Sequence, residues 1–170
     1  MDDLTAGLGV LVGARATLRP TQPDDLAALF AIRTEPEVAA WWGKLGPPEE
    51  EGPYLLSGLT VWVGGAVAGW LEIHEEAEPM SPHATFDLFL GAGNRGRGVG
   101  REVLGLAIDA LVERGHHRFQ IDPAATNETA IRCYAAVGFR PVGRLREAER
   151  APDGTWRDAL LMDLLARERR

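Results

Sequence analysis

Asp87 and Tyr134 are the two side chains whose types and positions indicate chemistry most directly. Asp87 stands in the middle of the apolar run 85–90, where an ionised carboxylate is costly unless it is paired or faces a site. A carboxylate in that position can act as a base or bind a cation. Tyr134 lies on a predicted helix with an apolar face, and a buried tyrosine hydroxyl needs a partner. The alternative interpretations are a solvated sheet face for Asp87 and a core position for Tyr134.

A loop rich in glycine and arginine follows the strand that carries Asp87. Residues 95–100 read RGRGVG, an R-x-x-G-x-G pattern, and a predicted helix of residues 99–114 follows. Glycines let the backbone approach a ligand, and a helix N-terminus offers unpaired N–H groups to phosphate oxygens. Arg95, Arg97 and Arg101 add local positive charge, so the stretch predicts a polyanionic ligand. The pattern matches neither a Walker loop nor a dinucleotide fingerprint, and a flexible surface turn is the alternative interpretation.

Three further positions could contribute to a site. Asp122 precedes Pro123 at the end of a predicted strand, where open α/β sheets bind ligands, although Asp-Pro is also common in turns. Trp41 and Trp42 end a short predicted helix, so that one could pack in the core and the other could wall a pocket. Cys133 has the character of a small buried hydrophobe. The four histidines show no ligand spacing, and the sequence predicts no metal site.

The composition is that of a soluble globular protein. The chain has 170 residues, 45% of them hydrophobic, and a formal net charge of -7. This charge argues against nucleic acid as a partner and favours a cationic substrate. No apolar run approaches membrane-spanning length, and one cysteine allows no internal disulfide. We therefore expect a single cytoplasmic domain over residues 1–170, with residues 1–12 as a loose N-terminal segment.

Alternating strands and helices are predicted to position these residues. Capping boxes at Thr21/Asp24 and Thr34/Glu37 start two helices, and a later helix capped by Thr126 or Asn127 runs to Val137. Residues 44–53, rich in proline, glycine and acids, predict a functional loop. Strands are predicted over residues 14–20, 59–63, 66–73, 85–90, 117–121, 142–150 and 156–164. This order indicates a mixed α/β sheet covered by helices.

With the glycine- and arginine-rich loop, Asp122-Pro123, Asn127 and the segment 131–139 (IRCYAAVGF), the sequence resembles the GNAT superfamily of acetyl-CoA-dependent N-acetyltransferases. More narrowly, Trp41-Trp42-Gly43, Phe86-Asp87-Leu88 and Asp122-Pro123 are similar to the aminoglycoside 6'-N-acetyltransferase group. The resemblance extends from about residue 15 to 165. It implies one α/β (α+β) domain, whose mixed sheet of about seven strands is splayed around the cofactor and flanked by about four helices.

The resemblance also implies a role for each site residue. Tyr134 would protonate the leaving thiolate, a backbone N–H near Leu90 would polarise the thioester carbonyl, and Asp87 would take the proton of the amine. Trp42, Asp87 and Asp122 would bind the acceptor, and Asp122 is the alternative base. Acetyl-CoA would be held by a set formed from the strand, the loop and the late helix: Phe89, Leu90, Gly91, Arg95, Arg97, Gly98, Val99, Gly100, Arg101, Asn127 and Tyr134.

The implied reaction is direct transfer of an acetyl group to a primary amine of a cationic small molecule, with the 6'-amine of an aminoglycoside, and hence antibiotic modification, as the leading candidate. A protein N-terminal or lysine acetyltransferase, of the ribosomal-protein type, is the alternative enzyme, and a non-catalytic acyl-CoA-binding sensor is an alternative of another class. Acidic runs at residues 49–51 and 72–78 favour the small cation. The C-terminal hairpin builds a dimer in some family members, so the resemblance also allows a homodimer.

Overall fold

A computed structural model describes residues 7–76 and 78–169 of the chain. Its strands are β1 Leu11–Val12, β2 Thr17–Pro20, β3 Leu59–Val63, β4 Ala66–Glu76, β5 His83–Leu90, β6 Arg118–Ile121, β7 Arg140–Arg150 and β8 Trp156–Leu165. Its α-helices are α1 Leu26–Arg33, α2 Pro36–Trp42, α3 Pro48–Leu56, α4 Val99–Glu113 and α5 Glu128–Val137. The eight strands form one mixed sheet in the order β1-β2-β3-β4-β5-β6-β8-β7. The predicted fold class is thus confirmed, with one more strand and one more helix than expected.

The N-terminal edge of the sheet lies partly in the segment expected to be loose. Leu11 and Val12 form β1, which pairs with Leu18 and Thr17 of β2. Residues 1–6 lie outside the described part of the chain.

The sheet has different cores on its two faces, because side chains alternate along β4 and β5. One face packs against α4 through residues that include Leu71, Ile73 and Phe86. The opposite face carries Trp70 and Phe89, which pack with α1, α2 and α3 through Leu29, Ile32, Val38 and Leu55. Glu72 and Asp87 are in phase with Trp70 and Phe89, so they belong to this second face.

β5 and β6 diverge after a short contact. They pair in parallel only at Ala84 with Phe119 and Thr85 with Gln120, so the rest of β5 has no described strand on that side. The Gly91 N–H donates to the Ala68 carbonyl of β4 at 2.9 Å. Because hydrogen-bonding directions alternate along a strand, the backbone N–H and C=O groups of Leu88 and Leu90 point into the gap between β5 and β6. The expected splay of the sheet is confirmed.

Residues 44–53 are not the predicted loop, since α3 occupies Pro48–Leu56. Pro48 stands at the start of this helix, where its missing N–H costs nothing, and Glu49, Glu50 and Glu51 lie in the first turn, where the helix dipole favours negative charge. Proline and acids at that position start a helix instead of preventing one. Pro53 is accommodated inside the helix.

The two predicted capping boxes are also wrong in detail. A single 3-10 turn, Pro23–Asp25, precedes α1 and has Gln22 as its N-cap residue. Asp25 of this turn is buried and accepts hydrogen bonds from the Arg19 guanidinium and from the Gln22 N–H. The helix α2 is preceded by Glu35 at its N-cap position.

Within residues 7–76 and 78–169, no helix combines the length and the apolar character that crossing a bilayer requires. The same residues contain no group of three or more His, Cys, Asp or Glu side chains arranged to hold a metal ion.

Candidate active site

The N-terminus of α4 forms a cradle suited to an anion. Gly98, the N-cap residue, has φ 80°, a left-handed conformation that glycine adopts without strain. It has no side chain to cap the helix, so the N–H groups of Val99, Gly100 and Arg101 remain available to a ligand. A Cβ at Gly100 would lie 3.1 Å from the Cys133 sulfur, which shows how closely α4 approaches α5. This backbone geometry is compatible with the phosphate binding that the sequence predicts for the loop.

Not all arginine side chains of this loop lie free beside the N-terminus of α4. Arg97 and Arg101 are exposed beside it. The guanidinium of Arg95 instead binds Glu35 at 2.8 Å and also Glu37, at the start of α2. Glu35 further accepts the Ala92 N–H at 2.8 Å. In this structure Arg95 ties the loop to α2, so its side chain is not among the groups free to bind phosphate.

Another arginine near the cradle was not predicted. The Nε of Arg15 lies 3.9 Å from the position that a Cβ of Gly98 would take. Its guanidinium binds Glu102 in the first turn of α4 at 3.1 Å, and the side chain is 61% exposed. Because Arg15 is far from the loop in sequence, no local pattern could have connected the two.

The predicted contacts of β5 divide into two groups. Phe89 is 3% exposed, and its side chain belongs to the core on the face that carries Trp70. Gly91 donates its N–H to β4. Leu90 alone of the three directs its backbone groups into the gap, and Leu88, which was not predicted, does the same.

Asp87 lies among other carboxylates. Glu72 is directly opposite it in the ladder between β4 and β5. The pKa of Asp87 is raised to about 6 by burial and by the negative charges of Glu72, Asp122 and Glu149, while His74 acts weakly in the opposite direction. Asp87 keeps an exposed edge, so the like charges are a firmer cause of the shift than burial. The carboxylate is therefore reachable from solvent and holds a proton more tightly than an ordinary aspartate.

The remaining carboxylates of this group are held in different ways. The Tyr54 hydroxyl of α3 donates to Glu72 Oε2 at 2.6 Å. The pKa of Asp122 is raised by burial and by the charge of Glu149. Glu149 is bound by Arg157, with 2.8 Å between Oε1 and Nε. Sequence reasoning singled out neither Tyr54 nor Glu149, although the turn at residues 152–154 would have placed Glu149 opposite Arg157.

Aromatic rings support this face of the sheet. Trp42 makes edge contacts with Phe89 and Trp70, with centroid distances of 5.1 and 6.1 Å. Tyr54 lies 5.0 Å from Trp70, whose Nε1 donates to the Leu55 carbonyl at 2.8 Å. Trp42 is half-buried, so it both completes the core and leaves part of its ring at the surface.

Tyr134 and Asn127 come from α5. Tyr134 is 7% exposed, and its hydroxyl has no hydrogen-bond partner among the described residues. Burial, followed by Cys133, Asp87 and Asp122, raises the pKa of Tyr134 far above its usual value, so the hydroxyl is protonated. Asn127, one of the two caps that the sequence allowed, begins α5 by accepting the Ala130 N–H at 3.1 Å. This bond leaves the amide N–H groups of Asn127 for a ligand.

The pattern of strand, glycine cradle and late helix corresponds to one described family. The model of the acetyltransferase (GNAT) family matches residues 18–139, which is more than half of the chain. The chain belongs to the GNAT family. It is accordingly an acetyltransferase that uses acetyl-CoA, as the sequence predicted, and the uncapped start of α4 and the open edge of β5 fit the phosphates and the extended arm of that molecule.

Individual relatives differ in the acceptor that their names give. The aminoglycoside N(6')-acetyltransferase type 1 of Klebsiella pneumoniae is 27% identical over 164 residues, covering 81% of this chain and 78% of that protein. Phosphinothricin N-acetyltransferase of Streptomyces coelicolor is 32% identical over 111 residues, covering 63% and 64%. The structure of spermidine N-acetyltransferase from Vibrio cholerae with CoA and spermine matches with a TM-score of 0.79 at 19% identity, over 92% of this chain and 98% of that one. At this identity the last match shows the fold alone.

Proposed function

We propose that this GNAT enzyme transfers the acetyl group of acetyl-CoA directly to a primary amine of a cationic small molecule, with the 6'-amine of an aminoglycoside as the acceptor. The observation that carries the proposal is the group of carboxylates formed by Glu72, Asp87, Asp122 and Glu149. The charges of Glu72, Asp122 and Glu149 raise the pKa of Asp87, and the charge of Glu149 raises the pKa of Asp122, a repulsion that a bound cation would offset. A molecule with several ammonium groups would relieve this repulsion and bind in the same step.

Asp87 is the proposed base. An ammonium ion cannot attack a carbonyl carbon, so a proton must leave the amine first. With a pKa of about 6, Asp87 is ionised at neutral pH and is a stronger base than an ordinary aspartate. Asp122, whose pKa is also raised, would bind a second ammonium group of the acceptor.

Tyr134 is the proposed acid. Acetyl-CoA supplies an activated thioester, whose sulfur needs a proton when it leaves. The Tyr134 hydroxyl is protonated and has no partner among the described residues, so it can deliver its proton to that sulfur. The Leu90 N–H, which points into the gap, would donate to the carbonyl oxygen as negative charge develops on it.

The cradle residues are proposed to hold the rest of acetyl-CoA. The N–H groups of Val99, Gly100 and Arg101 would bind the pyrophosphate, with Arg97 and Arg101 adding positive charge. The amide of Asn127 would contact the extended arm beside Leu88 and Leu90. Arg95 would contribute by holding the loop in place through its bonds to Glu35 and Glu37.

An N-terminal peptide is the alternative acceptor, but it would offer the site a single ammonium group beside its backbone. The carboxylate group and the aminoglycoside-modifying relative both favour the polycation. The two hypotheses differ in the acceptor only, so one assay separates them.

The test is the release of free thiol from acetyl-CoA with a panel of acceptors. The panel holds aminoglycosides matched in pairs with a 6'-amino or a 6'-hydroxyl group, polyamines, phosphinothricin and N-terminal peptides. We expect turnover with the 6'-amino members only, and a fall in kcat/KM of about 100-fold in Asp87→Asn. The binding of acetyl-CoA to that variant, measured by calorimetry, serves as the control and should be unchanged.

Turnover confined to peptides would replace the aminoglycoside by a protein acceptor. Equal turnover of the 6'-amino and 6'-hydroxyl members would show that another amine is acetylated. Full activity of Asp87→Asn would exclude Asp87 as the base.

A further inference from the structure

We propose that Arg157 of β8 is a positioning residue of the acceptor site, which holds Glu149 of β7 and the C-terminal end of α2 in a fixed relation to each other. The inference rests on the proposed binding of the acceptor beside Asp87. It assigns a role to a residue that contacts neither the proposed base nor the proposed acid.

Arg157 makes a network of contacts with two separate elements. Its Nη1 donates to the Ala40 carbonyl at 3.0 Å, and its Nη2 donates to the Trp41 carbonyl at 2.6 Å. Its Nε and Nη2 lie 2.8 and 3.2 Å from the two carboxylate oxygens of Glu149. The guanidinium also lies 5.3 Å from the centre of the Trp41 ring. With only 16% of its side chain exposed, Arg157 makes these contacts largely away from solvent.

The contacts to α2 are those of a helix C-terminal cap. The last carbonyls of a helix lack partners within it, and a cation at that end is favoured by the helix dipole. α2 has seven residues, so it is too short to be stable by itself. At its other end Glu35 and Glu37 are bound by Arg95. Arg33 of α1 also donates to the Trp42 carbonyl at 3.4 Å. α2 is therefore held by Arg95 at one end and by Arg157 together with Arg33 at the other, and its last residue is Trp42, which walls the acceptor face.

The contact to Glu149 fixes a charge that acts on the base. The charged and titratable groups that influence Asp87 are Glu72 and His74 of β4, Asp122 beyond β6 and Glu149 of β7. Asp87 in turn influences Tyr54 of α3 and Tyr134 of α5. Of these groups, Glu149 is the one bound to an arginine. Arg157 thus offsets part of the Glu149 charge and sets where that carboxylate stands.

Arginine suits this role better than lysine. Its planar fork can donate to two carbonyls and a carboxylate at once, whereas an ammonium group is a single point charge on a flexible stem. Arg157→Lys would keep the charge and lose the geometry, and Arg157→Met would lose both. Comparing the two variants separates the electrostatic part of the role from the positional part.

The first experiment needs no acceptor. The Asp87 carboxyl is titrated by carbon NMR in wild type, Arg157→Met, Glu149→Gln and the double variant. Arg157→Met is expected to move the pKa of Asp87 upward, because a positive charge is lost and the Glu149 carboxylate is no longer held away by its arginine. Glu149→Gln is expected to move it downward. Adding Arg157→Met to Glu149→Gln should then raise the pKa of Asp87 by less than it does in the wild-type background, because only the direct effect of the Arg157 charge remains and no Glu149 carboxylate is released. An unchanged or lowered pKa in Arg157→Met, or equal effects in both backgrounds, would overturn the role through Glu149.

The second experiment uses whichever acceptor the panel identifies. Arg157→Met and Arg157→Lys are both expected to raise the acceptor KM by about tenfold, with kcat and the Kd of acetyl-CoA within about twofold of wild type. Arg140→Met is the matched control, because Arg140 lies at the far end of the same hairpin and pairs with Glu168. Its kinetics should equal those of wild type. A drop in melting temperature with an unchanged acceptor KM would show that Arg157 serves stability only.

The proposed acceptor and the proposed role of Arg157 can be refuted independently of each other. If no polycation is acetylated, the proposed acceptor is wrong, while the NMR titration still decides whether Arg157 acts on Asp87 through Glu149. If Arg157→Met does not fold, Arg157→Lys decides the positional role, since wild-type KM in that variant would overturn it.

Discussion

Asp87 and Glu72 face each other across a β-ladder, a position in which two like charges destabilise a sheet. Neither side chain forms a hydrogen bond or ion pair with a cationic side chain among the described residues, since Glu72 accepts only from the Tyr54 hydroxyl. A destabilising arrangement of this kind is typical of functional sites, where a raised proton affinity is useful. The proposed role of Asp87 as the base therefore depends on charges that neighbouring strands place around it.

This electrostatic origin can be tested through the pH dependence of the reaction. Asp87 must be ionised to accept a proton, so kcat/KM is expected to fall as the pH decreases through about 6. Glu72→Gln removes the charge directly opposite Asp87 in the ladder and should lower the pKa of Asp87, which moves the acidic limb of the profile to lower pH. The titration of the acceptor amine itself would not move, so a limb that stays in place would show that Asp87 is not the group observed.

A stability measurement gives an independent check on the same charge. A carboxyl whose pKa is raised in the folded state destabilises that state when it is ionised. The cost is fully present above the folded pKa of about 6, decreases as the pH falls from there to the ordinary value of 3.8, and is absent below it. Asp87→Asn is therefore expected to melt at a higher temperature than wild type at pH 8, and the difference should shrink at pH 5. A variant less stable than wild type at pH 8 would contradict this assignment.

Tyr134 provides a further prediction at this scale. Tyr134→Phe keeps the ring in its buried position and removes only the hydroxyl, which has no partner among the described residues. We expect kcat to fall by about 100-fold, with the melting temperature and the Kd of acetyl-CoA unchanged. Equal rates in the variant and wild type would refute Tyr134 as the acid.

At the scale of elements, the loop before α4 both turns the chain into that helix and is attached to α2. Gly96 and Gly98 have φ of 69° and 80°, in the left-handed region, and they direct the chain so that the first N–H groups of α4 converge. Arg95 anchors the same loop to α2 through Glu35. The proposed phosphate cradle is thus joined by this ion pair to the helix that ends at Trp42.

Replacing Gly98 by alanine should damage this loop in a specific way. A left-handed conformation costs an L-residue about 1–2 kcal/mol, so Gly98→Ala is expected to lower the free energy of unfolding by that amount and to weaken acetyl-CoA binding. Gly93→Ala is the matched control, because Gly93 lies in the same loop, has no positive φ, and a Cβ added there would meet no atom within 4 Å. Denaturant unfolding and calorimetry measure both effects. Similar results for the two variants would show that the left-handed turn is not what the cradle needs.

At the scale of the whole molecule, the divergence of β5 and β6 creates the space in which the reaction is proposed to occur. The parallel pairing ends at Thr85, so half of β5 keeps one edge unpaired in the middle of an eight-stranded sheet. Backbone groups at an unpaired edge readily pair with an extended chain. α4 and α5 pack over the same region through Gly100 and Cys133.

Hydrogen exchange should report this edge directly. Binding of acetyl-CoA is expected to slow exchange of the Leu88 and Leu90 amides by about tenfold or more, because they point into the gap. The Asp87 and Phe89 amides point toward β4 and should change less. Equal slowing of all four would indicate a general stabilisation, and slowing of the Asp87 and Phe89 amides alone would contradict the hydrogen-bonding direction derived from Gly91.

The sequence alone determined those features that depend on local chemistry. Conformational preferences within a few residues indicated the glycine turn before a helix, a helix cap at Thr126 or Asn127, and the turn at residues 152–154. For the same reason the carboxylate of Asp87 and the hydroxyl of Tyr134 could be selected as unusual in their surroundings, and the family resemblance could be stated. Local reasoning was wrong at α3, where proline and acids that typify a loop instead begin a helix.

Only the tertiary structure decided which distant groups act together. Arg95 belongs by sequence to the phosphate loop, yet its side chain binds Glu35 and Glu37, because α2 packs beside that loop. The carboxylates around Asp87 come from β4, the end of β6 and β7, and Arg157 reaches α2 across more than 100 residues of chain. Electrostatic and hydrogen-bonding energies depend on distance in space, and distances between elements are set by packing that no short sequence pattern contains.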